Sequence, residues 1–154
     1  MALEKEQTDL QTMAEVALSE ARRELEGTGR VRPYFLLRNP RTQEMERLPL
    51  PGEAMDDGER KQILFGLMRT AVRLNRITAT ILVTDGWVTK IKADEGLREH
   101  SEAIIVSVET PRKAFGIVQF YERDRERRRI RFGERITTAK PPQGRVQIFP
   151  EEET

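Results

Sequence analysis

Between Glu102 and Phe132, three segments of alternating apolar residues are joined by Pro111-Arg112-Lys113 and by Asp124-Arg125-Glu126. That spacing constrains the fold more than any other feature of the chain. Parallel strands need a crossover of about a dozen residues or more, whereas antiparallel strands close through tight turns. The stretch therefore reads as an antiparallel meander. Ile104, Val106 and Val108 line one face of its first strand, Phe115 to Arg123 form the second, and Arg127 to Phe132 the third.

The remaining elements follow from periodicity. Residues 3–26 carry Leu10, Met13, Ala14, Ala17, Leu18, Ala21 and Leu25 at three- and four-residue spacing, an amphipathic helix that Gly27 and Gly29 end. Residues 33–50 read as a hairpin around Asn39-Pro40-Arg41-Thr42. Pro49 and Pro51 cannot donate to a ladder, so its second strand ends there or lies at a sheet edge. Residues 56–75 read as a second helix, with Asp56 and Glu59 at capping-box spacing. Its expected buried stripe is Leu64, Leu67, Met68 and Ala71, flanked by Ile63 and Val72. Residues 77–132 are strands, and Ile77 to Thr84 alternates as a half-buried one. The order α-β-β-α-β-β-β-β predicts an α+β domain over residues 1–140: a mainly antiparallel sheet with both helices packed on one face. Residues 141–154 read as a partly disordered tail.

Composition narrows the chemistry. The chain has no cysteine, which excludes disulfides, thiolate metal ligands and cysteine nucleophiles, and suits a cytoplasmic protein. One histidine, His100, leaves no histidine cluster for a metal. No cofactor or metal is expected; a magnesium site built from carboxylates alone stays open, but with 26 acidic residues it has no specificity. No signal peptide and no apolar run of membrane-spanning length are visible. Net charge is +1, but residues 112–135 hold nine basic and four acidic side chains, so the charge is unevenly placed.

Four features compete for a functional role. Asp85-Gly86-Trp87 follows an apolar strand and holds the only tryptophan. It reads as turn or bulge chemistry with Trp87 as a core anchor, or else as a strand-end loop presenting an acid beside an aromatic wall. Arg98-Glu99-His100-Ser101-Glu102 reads as a polar loop, or as a proton shuttle pairing His100 with Glu102 or Asp85. Arg123, Arg125, Arg127, Arg129 and Arg131, with Tyr121 on the neighbouring strand, form a candidate nucleic-acid face, weakened by the interleaved Glu122, Asp124 and Glu126. The N-terminal helix is a candidate dimer contact, as is an edge strand.

Leu37-Arg38-Asn39-Pro40, Leu48-Pro49, Asp85-Gly86-Trp87-Val88 and Glu102-Ala103-Ile104 together resemble a loose set of small uncharacterised bacterial and phage-encoded α+β proteins. In those, an acidic residue and a tryptophan follow a central strand, and an Arg-x-Glu element opens the next. Here that element is His100-Ser101-Glu102, with Arg98 displaced. The resemblance spans residues 33–123; it implies a fold of this kind and no activity. The expectation is a non-catalytic interaction or homo-oligomerising domain, whose partner is a protein or its own copy rather than a membrane. The alternatives are a nucleic-acid-binding domain on the Arg123–Arg131 face and a small enzyme around Asp85, His100 and Glu102.

Overall fold

A computed structural model describes residues 2–50, 58–92 and 97–138. Helix α1 (Ala2–Thr28) precedes strands β1 (Tyr34–Arg38) and β2 (Met45–Pro49). Helix α2 (Gly58–Leu74) follows, and then β3 (Thr80–Lys92), β4 (Leu97–Glu109), β5 (Ala114–Asp124) and β6 (Arg129–Thr138). The six strands form one antiparallel sheet in the order β2-β1-β3-β4-β5-β6. The fold is α+β in the expected element order. The expected Asp56 cap and the 141–154 tail lie outside the described residues.

The hairpin forms as its turn chemistry requires. The Asn39 side-chain oxygen accepts from the backbone N–H of Arg41 at 2.8 Å, and the Gln43 N–H donates to the Asn39 carbonyl at 2.9 Å. β2 is the edge strand and stops at Pro49, in keeping with a residue that cannot donate to a neighbour. α1 ends where Gly29 takes the left-handed conformation at φ 79°, which lets its N–H reach the Leu25 carbonyl at 2.8 Å.

The two helices lie on opposite faces of the sheet, not on one. Neighbouring residues of a strand point to opposite sides. Tyr34, Ile81, Val83, Ile104, Val106 and Ile117 pack with the α1 stripe of Leu10, Ala14, Ala17, Leu18, Ala21 and Leu25. Phe35 and Leu82, one residue out of phase, pack instead with Phe65, Met68 and Val72 of α2. Phe35 and Phe65 meet edge to face at a centroid distance of 6.0 Å. β3 is consequently covered on both sides. Its threonines Thr80 and Thr84, expected to face water, are buried.

The last strand is longer than its pattern suggests because it changes phase. Tyr121 pairs with Phe132 but Gln119 pairs with Arg135, so Gly133 and Glu134 together oppose Phe120 as a β-bulge. The buried Gln119 amide donates to the carbonyls of Phe120, Gly133 and Glu134 at 3.1, 3.0 and 3.3 Å, satisfying backbone that the bulge leaves out of the ladder. The phase change turns Arg135 toward α1, where it pairs with Glu15. With the Arg22 guanidinium 4.1 Å above the Phe132 ring, α1 is pinned to the far edge strand at two points.

Candidate functional site

The three residues proposed from sequence as a reactive set do share one face. Asp85 pairs with Ile104, Trp87 with Glu102 and Thr89 with His100 across β3 and β4, so Asp85, Glu102 and His100 occupy same-side positions on the α1 face. Neither segment is a loop or a turn. Asp85-Gly86-Trp87 lies inside a strand of 13 residues, and so does His100-Ser101-Glu102. Long pairing with a partner strand has overridden local turn chemistry. Trp87 is not a core anchor either: it is 70% exposed.

What this cluster does is hold the chain that leaves α1. The Val31 N–H points to an Asp85 carboxylate oxygen at 3.4 Å. Arg123 donates from Nε to Glu102 at 2.8 Å and from Nη1 to the Gly29 carbonyl at 2.9 Å. Two sheet residues thus clasp both ends of Gly29–Val31. Burial raises the Asp85 carboxyl above the ordinary aspartate range, against the Val31 N–H, which lowers it. Tyr121, buried beneath the same group, is pushed up to about 12, by burial first and then by the Glu102 and Asp85 charges. His100 stands exposed at the next same-face position, outside these hydrogen bonds. The cluster has a positional task for every charged member it engages, and no member placed as a nucleophile against a base.

The arginine-rich segment divides. Arg123 belongs to the clasp just described. Arg125 and Arg127 lie in the β5–β6 turn, where the Arg127 N–H donates to Asp124 at 3.2 Å. Arg129 and Arg131 sit on the opposite face, in register with Asp124 and Glu122. Tyr121 is buried on the α1 side and does not share a surface with them. The shallow depression at this turn is lined by Glu122, Arg123, Asp124, Arg125, Glu126 and Arg131, equal numbers of acids and arginines. Arg129 and Arg131 therefore each stand across from an acid, and positive charge in this depression is interleaved with negative. Among the described residues, no group of three or more His, Asp or Glu side chains is placed to hold a metal ion. Nor is any described helix long and apolar enough to cross a membrane.

The surface that sequence reading missed is on α2. Its buried residues are Phe65, Met68 and Val72. Leu67, expected in the core, is 64% exposed, and Ile63 and Leu74 are 61% and 76% exposed. At about 100° per residue, Ile63, Leu67, Thr70 and Leu74 form one narrow line along the helix, roughly opposite the buried face. α2 is apolar on two sides. The signal was present in the sequence, since apolar residues from Ile63 to Leu74 spread over about 200° of the helix, wider than a single buried stripe. By contrast, the α1 stripe that was a candidate dimer contact is buried against its own sheet. No protein-family model, curated protein or solved structure matches the chain.

Proposed function

We propose that this chain is a non-catalytic interaction domain and that the outward line of α2 is its contact surface. One observation carries the reading: three large aliphatic side chains, Ile63, Leu67 and Leu74, are more than half exposed in a single row. Single exposed leucines are ordinary on soluble proteins, but contiguous rows mark association surfaces. Burying an aliphatic side chain of this size contributes about 1.5–3 kcal/mol, so three partly exposed ones supply a driving force of a few kcal/mol. Asp85 and Glu102, two of the three residues considered for catalysis, are engaged in fixing the α1–β1 connection, which supports a scaffold role for them. The absence of cysteine suits a reducing, cytoplasmic setting.

Site-specific photo-crosslinking tests this. A photoreactive residue at position 67, in the full chain expressed in its source cells, is expected to give a discrete covalent adduct. The same residue at the exposed Arg128 of the β5–β6 turn is expected to give none. Absence of any adduct specific to position 67 overturns the reading.

A further inference from the structure

We propose that the α2 side of β4, β5 and β6 is a docking surface whose occupant is this chain's own C-terminal stretch. Residues 146–149 cover its apolar patch, and residues 151–153 continue to its arginine-rich end. The outward line of α2 plays no part in this contact.

The patch comes first. Ala103 and Ile105 of β4 pair with Phe120 and Val118 of β5, and Val118 pairs in turn with Ile136 of β6. In β4 and β5 these residues alternate with Ile104 and Ile117, which pack under α1, so they point to the α2 side. Ala103, Val118 and Phe120 are 0%, 5% and 6% exposed and have Val88 and Ile105 of the same sheet against them. Sheet neighbours flank a side chain but leave its outer end open, so burial this complete needs a layer across the strands. α2 is not that layer. It packs on Phe35 and Leu82 of β1 and β3. β5 lies two strands beyond β3, about 10 Å away, the full width of a helix.

Chain length and composition identify the occupant. β6 ends at Thr138 opposite Gly116, beside the patch. The sequence continues through Pro141-Pro142-Gln143-Gly144, turn chemistry that suits a reversal, to Val146, Ile148 and Phe149. Residues 139–145 can span up to about 24 Å when extended. The way back from Gly116 to Val118 and Phe120 is roughly 7–14 Å of strand. The other stretches outside the described residues fit less well. Residues 93–96 are Ala-Asp-Glu-Gly, without a large apolar side chain. Residues 51–57 run from Leu50, which is buried with α2, to the start of α2 itself.

Charge favours the same direction. Past Phe120 this face leads to Arg131 and Arg129, and residues 122–131 hold six arginines against three acids. Residues 151–153 are Glu-Glu-Glu. A chain running back along β6 with residues 146–149 on the patch carries these carboxylates to the net-positive end, where attraction is favourable and sensitive to salt.

The chain has no cysteine, so one introduced thiol reports on one place. Val118→Cys in the full chain is expected to react slowly with a thiol reagent. Adding Ile148→Asp and Phe149→Asp should speed the reaction at least tenfold, whereas Gln143→Asp should leave it unchanged. A rate that does not rise with the two aspartates overturns the proposal. Glu151→Gln, Glu152→Gln and Glu153→Gln together should speed the reaction several-fold at low salt, and the difference should close at about 1 M salt. No difference at low salt overturns the acidic contact. A photoreactive residue at position 149 of the otherwise native chain needs no core substitution. It is expected to give a link within one chain that maps to residues 103–120. A link between two chains, a link elsewhere in the chain, or none overturns docking of the chain's own tail on this face.

Discussion

The two helices of this domain solve different problems. α1 has one apolar stripe, and Leu10, Ala14, Ala17, Leu18, Ala21 and Leu25 are all buried on the sheet. Its polar side adds an ion pair from Glu15 to Arg135 and a cation–ring contact from Arg22 to Phe132. α2 has two apolar lines and its own domain covers only one. Phe65, Met68 and Val72 hold it to Phe35 and Leu82, while Ile63, Leu67 and Leu74 face outward. A helix whose one apolar stripe is covered by its own sheet, with Val16 alone of its described large aliphatics more than half exposed, reads as scaffold. A helix left with an outward row of aliphatics has apolar surface that its own sheet does not cover.

The two sides of α2 should respond very differently to truncation. Phe65→Ala is expected to cost about 3–5 kcal/mol, because it removes a fully buried ring, whereas Leu67→Ala is expected to change monomer stability by no more than about 0.5 kcal/mol. Urea unfolding at low protein concentration reads both. Similar losses at the two positions would mean that Leu67 is part of the core. α1 gives the next largest effect. Leu18→Ala is expected to cost about 2–5 kcal/mol, and Val16→Ala, on the exposed side, close to nothing.

The clasp at the end of α1 gives smaller effects. Arg123→Ala removes its bonds to Glu102 and to the Gly29 carbonyl, and is expected to cost about 0.5–1.5 kcal/mol by the same unfolding measurement. Asp85→Asn is expected to act in the other direction. A carboxyl whose folded pKa lies above its unfolded one is protonated more readily in the folded state, so the wild type loses stability as pH rises through the window between the two values. The substitution removes that cost while keeping an oxygen for the Val31 N–H. Its gain in thermal midpoint should be present at neutral pH and vanish below about 3.9, the unfolded aspartate value. A gain that persists at acid pH would place its cause elsewhere.

Much of the architecture was legible because it rests on dense local patterns. The α1 stripe, the Asn39 hairpin, the proline-limited edge strand and the meander all stand where periodicity and turn chemistry put them. What escaped depends on tertiary pairing. Asp85-Gly86 has the composition of a turn, yet unbroken register with β4 keeps it extended. Thr80 and Thr84 look solvent-facing until a helix is placed on each side of β3. The Gly133–Glu134 bulge reverses the alternation of β6, which no period-two reading anticipates. Of the proposed sites, Asp85, Glu102 and His100 fall on one face because β3 and β4 stay extended through segments that read as turn and loop. The clasp that Asp85 and Glu102 join was not legible, because Gly29 and Val31 lie far from them in sequence. Leu67 shows the same limit: with two apolar lines on one helix, periodicity alone does not say which line faces the sheet.

The function proposed for this domain turns on whether the outward row of α2 is a contact surface. Photo-crosslinking from position 67 in the source cells, with and without Ile63→Glu and Leu74→Glu in the same chain, addresses it most directly. Position 67 should give a discrete adduct, and the two glutamates should remove it while leaving the far-UV spectrum unchanged. No adduct from position 67, or one that survives both glutamates undiminished, would contradict it.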